Sequence, residues 1–74
     1  MTKEFITPHY GIIIVSNAMF EEEDGINLYE GIELKDVEDN IIEVSGYRDI
    51  DEMTVKEIEE LIEFELYLQS WIDV

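Results

Sequence analysis

The sequence feature that most constrains the fold is a helix start at Thr54. Thr54 and Glu57 have the spacing of a capping box, in which the first side chain accepts a hydrogen bond from the backbone N–H of the second residue. Met53 and Ile58 occupy the positions of a hydrophobic staple around this pair. The pattern predicts a single helix that runs to about Trp71, roughly 26 Å long at about 1.5 Å per residue.

The apolar face of this predicted helix is wider than one sheet requires. At about 100° per residue its apolar side chains span an arc of about 220°, whereas covering one sheet takes a little over 100°. The surplus lies around Phe64, Tyr67, Leu68 and Trp71. An N-terminal arm that wraps the helix, or half-exposed aromatic side chains, would account for the surplus. A dimer or partner interface would account for it as well, because Tyr and Trp are enriched at interfaces.

Three segments before the helix have the patterns of β-strands. His9–Val15 is short, β-branched and bounded by turn-forming residues, which indicates a buried strand. Ile26–Val37 alternates apolar and polar residues, as a half-buried antiparallel strand does. Glu30-Gly31 interrupts that alternation and predicts a bulge. Ile41–Tyr47 is the third predicted strand.

Two acidic connections separate these strands. Ala18–Gly25 contains four adjacent carboxylates followed by a glycine, which predicts a solvated loop. Glu38–Asn40 predicts a hairpin turn, because Asp and Asn tolerate the left-handed backbone that tight hairpins require.

These elements predict one α+β domain over residues 1–74, with a three-stranded antiparallel sheet and one C-terminal amphipathic helix packed on it, in the order β-β-β-α. Hydrophobic residues make up 46% of the chain, which argues against disorder despite the acidity. The predicted core consists of Ile12, Ile14, Leu28, Ile32, Leu34, Ile42, Val44, Ile58, Leu61, Ile62 and Leu68.

The charge balance excludes several classes of function. Twenty acidic residues against four Lys and Arg give a formal net charge of −16. Direct nucleic-acid binding needs Lys and Arg to displace counterions, and an anionic membrane surface repels such a chain. The sequence has no cysteine, which excludes disulfides and thiolate metal sites and fits a cytoplasmic location.

No motif for catalysis or for a cofactor stands out. His9 is the only histidine, and it lacks the partners of a triad or of a histidine metal site. Paired carboxylates could serve a glycosidase only in a cleft, which a chain of 74 residues can hardly build. We therefore expect no enzyme activity and no cofactor.

One segment resembles the start of a calcium loop. Asp36, Glu38 and Asn40 match the first three ligand positions of such a loop. The pattern then fails, because Ile41 replaces the glycine at position six and Tyr47 replaces the glutamate at position twelve. No metal site is expected.

The acidic residues themselves are the main candidate for function. A net charge of about 2–8 keeps a small domain soluble, and an excess destabilises the fold through self-repulsion. Rows of carboxylates on a rigid domain can imitate nucleic-acid phosphates, so a basic nucleic-acid-binding protein is the predicted partner. The candidate contacts are Glu21, Glu22, Glu23, Asp24, Glu38, Asp39, Asp49, Asp51, Glu52, Glu59, Glu60 and Glu63.

In size and charge the chain resembles phage-encoded decoys such as anti-CRISPR and anti-restriction proteins, which implies an inhibitor that blocks a nucleic-acid site. The resemblance is one of composition, and no motif carries it. The alternative is a structural or assembly module that forms a homodimer or docks through Phe64, Tyr67 and Trp71, with the acids serving only solubility.

Overall fold

The protein is a four-stranded antiparallel sheet with one helix against one of its sides. This computed structural model describes residues 2–72, with side chains described for residues 2–67. The elements are β1 (Thr2–Thr7), β2 (Gly11–Glu21), β3 (Leu28–Lys35), β4 (Ile41–Ser45), a 3-10 turn (Ile50–Glu52) and α1 (Val55–Ile72). The strands lie side by side in chain order. The α+β class with a C-terminal helix is confirmed, whereas the predicted number of three strands is wrong.

The additional strand is β1, at the edge of the sheet. It pairs antiparallel with β2, and Phe5 lies opposite Ile13. Alternation places Phe5 toward the helix, where it is buried, and leaves Ile6 73% exposed on the other side. The sequence did not predict this strand because Lys3 and Glu4 interrupt its apolar pattern. An edge strand tolerates such charged residues, whereas a central strand does not.

β2 is longer than predicted, and its faces are reversed. Its residues 18–21 pair with β3 as far as Glu21 opposite Leu28, so the loop predicted for Ala18–Gly25 is wrong in its first half. The buried side chains are Ile13 and Val15 rather than the predicted Ile12 and Ile14, and Ile12 is 39% exposed. Consecutive apolar residues carry no alternation of their own, so the partner strand decides which ones point inward.

β3 continues through Glu30-Gly31 without the predicted bulge, since every residue from Leu28 to Lys35 pairs in sequence with β2. Gly31 is needed here for space rather than for backbone freedom. A Cβ at Gly31 would collide with the carbonyl oxygen of Val44 and lie 2.7 Å from the Phe20 ring. The glycine thus allows the Phe20 ring to cover the side of the sheet away from the helix.

The predicted hairpin turn before β4 is confirmed. Asp39 has a φ of 65°, and the Asp36 carboxylate accepts the backbone N–H groups of Glu38 and Asn40, each at 2.9 Å. β4 ends at Ser45, two residues before the predicted end, because Gly46 turns the chain with a φ of 101°.

The helix begins as predicted. The backbone N–H of Glu57 donates to Thr54 Oγ1 at 3.2 Å, and that hydroxyl donates in turn to Glu57 Oε1 at 3.3 Å. Met53 and Ile58 are both buried, as a staple requires.

The core lies between this helix and the sheet. The predicted Ile32, Leu34, Ile58 and Ile62 are buried, and Ile42, Val44 and Leu61 pack against them partly exposed. The prediction for Leu28 is wrong, since this side chain is 59% exposed, beyond the part of the sheet that the helix covers. Leu68 lies outside the described side chains. The buried residues that were not predicted are Phe5, Ile13, Val15, Ile50 and Met53.

Candidate functional site: an acidic ridge

The acidic side chains of this protein are almost entirely without counter-ions inside the chain. Among the described residues, only two ion pairs lie within 4.0 Å, between His9 and Glu59 and between Lys35 and Asp39. The other described carboxylates face solvent or accept hydrogen bonds from neutral groups. The negative field of the surface is therefore available to an external partner.

Six exposed carboxylates follow the 3-10 turn and the first half of α1. We call this set the acidic ridge, and all its members are exposed. Its residues are Asp49, Asp51, Glu52, Glu57, Glu60 and Glu63.

The two parts of the ridge meet around Arg48. Arg48 and Glu57 line two adjoining surface hollows, one completed by Glu60 and the other by Asp49 and Glu52. Arg48 donates from one guanidinium nitrogen to the carbonyl oxygens of Ser45 and Gly46, at 3.0 and 3.3 Å. Arg48 therefore stabilises the turn after β4 instead of forming an ion pair with a ridge carboxylate.

Glu59 does not belong to the ridge, although the sequence placed it with Glu60 and Glu63. Its carboxylate accepts the backbone N–H of His9 at 3.0 Å and lies 2.9 Å from His9 Nδ1. This contact ties α1 to the turn between β1 and β2. Partial burial, followed by the charges of Glu63 and Glu59, raises the pKa of the neighbouring Tyr10 above its ordinary value.

Glu57 takes the place that the sequence had assigned to Glu59. It was interpreted only as a capping residue, and its side chain does contact Thr54, yet it remains exposed. The signal was available, because helix positions 57, 60 and 63 recur every three residues and share the side opposite the buried Ile58 and Ile62.

The remaining predicted acids lie apart, in two groups at opposite ends of β3. Eight residues at about 3.3 Å each separate Glu21–Asp24 from Glu38-Asp39 by roughly 26 Å. Asp24 stabilises its own turn by accepting the N–H groups of Ile26 and Asn27, and these backbone hydrogen bonds lower its pKa. The structure therefore does not bring all the predicted carboxylates into one site.

The predicted aromatic surface lies on the second half of α1. After Ile62 no described side chain is buried, and Phe64 and Tyr67 are 62% and 56% exposed. They are three residues apart and so occupy neighbouring positions on the helix surface. Trp71, the third predicted member, lies outside the described side chains.

The segment that resembles a calcium loop is used as a turn. The Asp36 carboxylate accepts hydrogen bonds from Asn40 and Glu38. The hydrogen bonds from the Asn40 side chain and backbone are the largest causes of its lowered pKa. In the part of the chain that the structure describes, no three His, Asp or Glu side chains are grouped to hold a metal ion.

Compared with known proteins, the chain matches no family model, no curated protein and no solved structure. Among residues 2–72, no helix combines the length and the apolar character needed to cross a membrane.

Proposed function

We propose that this protein is a non-enzymatic inhibitor that occupies the nucleic-acid-binding surface of a basic protein. Its acidic ridge would stand in for phosphates and pair with the Lys and Arg that normally grip them. The observation that carries the proposal is that, among the described residues, no ridge carboxylate forms an ion pair within 4.0 Å, on a chain of net charge −16.

The spacing of the ridge supports this proposal. Glu57, Glu60 and Glu63 follow one another at three residues, or about 4.5 Å along the helix axis. A DNA strand carries one phosphate per about 3.4 Å of its axis. A flexible basic surface that tracks a phosphate backbone can therefore meet these carboxylates with small adjustments.

The rigidity of the ridge supports it as well. The hydroxyl of Thr54 fixes the start of α1, and Asp49 accepts the backbone N–H of Asp51 at 3.1 Å to cap the 3-10 turn. Carboxylates held on fixed backbone lose less conformational freedom on binding than those on a disordered acidic tail. A folded acidic domain thus has an advantage over a simple charged segment.

Binding should show the signature of electrostatic association. Complementary charge mainly speeds encounter, and screening weakens it as the ionic strength rises. We expect fast association that slows steeply with salt.

The test compares two double charge reversals with the same net charge. Glu60→Lys with Glu63→Lys alters the ridge, and Glu4→Lys with Glu43→Lys alters exposed positions on the side of the sheet away from the helix. Each variant takes the net charge from −16 to −12, since each reversal adds 2. The proteins serve as bait in nuclease-treated lysate of the source organism, with elution by a salt gradient.

We expect wild type and the sheet variant to retain basic nucleic-acid-binding proteins, and the ridge variant to lose them. Loss in both variants alike would show that only total charge matters. Retention in the ridge variant would place the contact elsewhere.

A second function is favoured by the exposed aromatic half of α1. A module that dimerises or docks there would cover Phe64, Tyr67 and the 48% exposed Leu66. The protein exposes 5504 Å², about 800 Å² more than the roughly 4,700 Å² expected for its mass.

Sedimentation of Phe64→Ala against wild type tests this second function. Ile6→Ala is the control, because Ile6 is also a largely exposed apolar residue, on the sheet. Dimerisation requires a concentration-dependent mass in wild type and in the control that Phe64→Ala lowers. A monomeric mass for all three proteins would contradict homodimerisation.

A further inference from the structure

One end of the sheet carries apolar side chains that the helix does not cover. Met19 and Glu30 lie opposite each other, and alternation puts them on the same side as the buried Ile32. Yet Met19 is 56% exposed, and its neighbour Leu28 is 59% exposed. The helix-facing side therefore continues into solvent beyond Ile32.

A hollow of about 240 Å³ lies at this uncovered end. Its lining combines apolar atoms with one carboxylate, one amide and one phenol ring. The lining residues are Asn17, Ala18, Met19, Glu30, Gly31 and Tyr47.

The turn after β4 brings Tyr47 to this hollow. The backbone N–H of Gly46 donates to the carbonyl oxygen of Glu30 at 2.8 Å, and Gly46 has a φ of 101°. Arg48 then holds the same turn through the carbonyls of Ser45 and Gly46. Tyr47 itself stays 72% exposed, so its ring can adjust to an occupant.

Glu30 supplies the charge of the hollow. Within the described part of the chain, no side chain forms a hydrogen bond or ion pair with its carboxylate, whereas the Asp24 and Asp36 carboxylates are used by their own turns. A carboxylate beside apolar atoms gains most from a cation that brings its own flat apolar surface, because the pair is partly removed from water.

We propose that this hollow binds an arginine side chain of the protein's partner. The guanidinium would pair with Glu30 through two parallel N–H groups, lie against the Tyr47 ring, and offer a further N–H to the Asn17 amide oxygen. Met19 would contact the aliphatic stem. The inference rests on the proposed function in one respect, that the partner is basic.

Arginine fits this lining better than lysine does. An ammonium group is a compact and strongly hydrated charge, whereas the guanidinium is planar, stacks on aromatic rings and matches a carboxylate with two donors. A second copy of this chain does not supply the occupant, because its one arginine, Arg48, already holds its own turn.

The test is an NMR titration of the labelled full-length protein with acetyl-Gly-Arg-Gly-amide. The same peptide with citrulline, the neutral isostere of arginine, controls for shape. We expect the arginine peptide to shift the amide signals of Asn17, Gly31 and Gly46 together with the Asn17 side-chain amide. Citrulline should bind at least about tenfold more weakly, because it lacks the charge that strengthens the hydrogen bonds to Glu30.

Glu30→Gln is the decisive variant, and Glu43→Gln is its matched control. Both remove one charge from an exposed strand residue, but Glu43 lies on the other side of the sheet. Glu30→Gln should weaken the arginine peptide about tenfold, and Glu43→Gln should leave its affinity within twofold. Well-dispersed spectra of both variants show that the fold is kept.

Three results would overturn the inference: equal binding of citrulline, equal weakening by the two variants, or shifts confined to the acidic ridge. None of them bears on the ridge, whose capture of basic proteins is measured separately with Glu60→Lys and Glu63→Lys. A failure of the arginine site can therefore be distinguished from a failure of the proposed function.

Discussion

The reversed faces of β2 lead to a sharp prediction for two adjacent isoleucines. Ile13 is 4% exposed between the sheet and the helix, whereas Ile12 is 39% exposed on the other side. Both lie near the start of β2, at adjacent positions, so each Ile→Ala substitution changes the local strand preference about equally. The difference in stability between the two variants then reports burial alone.

The magnitude follows from the atoms removed. An Ile→Ala change deletes three carbons, or about 2.4 kcal/mol of transfer free energy at about 0.8 kcal/mol each. At Ile13 nearly all of this is lost and a cavity remains, so we expect the free energy of unfolding to fall by about 3–4 kcal/mol. At Ile12 about 60% of the transfer term applies and water fills the space, which gives about 1.5 kcal/mol.

Urea unfolding followed by circular dichroism measures both values. The whole domain is expected to be stable by only about 4–11 kcal/mol, at about 0.05–0.15 kcal/mol per residue. Ile13→Ala should therefore move the midpoint far more than Ile12→Ala. Equal losses, or a larger loss for Ile12→Ala, would refute the register of β1, β2 and β3 described here.

Two further predictions concern the turns and the crowded strand pair. Gly31→Ala should lower the free energy of unfolding by about 1–3 kcal/mol in the same assay, because the new methyl group collides with Val44 and Phe20; unchanged stability would contradict this packing. Hydrogen bonds from Asn40 and Glu38 lower the pKa of Asp36 below its ordinary value of 3.8. The ionised Asp36 carboxylate therefore stabilises the fold above pH 3.8, and this stabilisation is lost as the pH falls through the lowered pKa. Unfolding measured from pH 5 to pH 2 should show a stability deficit of Asp36→Asn that shrinks toward the acid end, and a constant deficit would be the contrary result.

Local signals in the sequence were sufficient for some parts of the fold. The helix start at Thr54 and the turn at Asp39 depend on hydrogen bonds and backbone angles within a few residues, so short patterns predict them. Which residues of β2 face the helix depends on the residues of β3 that pair with them. A run of isoleucines has no internal pattern that predicts this pairing. β1 was not predicted for a related reason, because Phe5 is its only buried apolar residue.

The candidate site divides in the same way. The exposure of Glu60 and Glu63 followed from helix periodicity, whereas the tie between Glu59 and His9 joins residues 50 positions apart and could not be inferred locally. The hollow beside Glu30 likewise depends on long-range pairing, because the turn at Gly46 brings Tyr47 next to it.

Competition with nucleic acid for the same partner tests the central claim most directly. A captured basic protein would be loaded with a fluorescent DNA or RNA that it binds, and the polarisation would be followed as this protein is added at several salt concentrations. The account predicts that wild type displaces the nucleic acid, that the displacement weakens steeply with salt, and that the variant with Glu60→Lys and Glu63→Lys displaces it poorly. A ternary complex that keeps the nucleic acid bound, or equal displacement by the ridge variant, would contradict it.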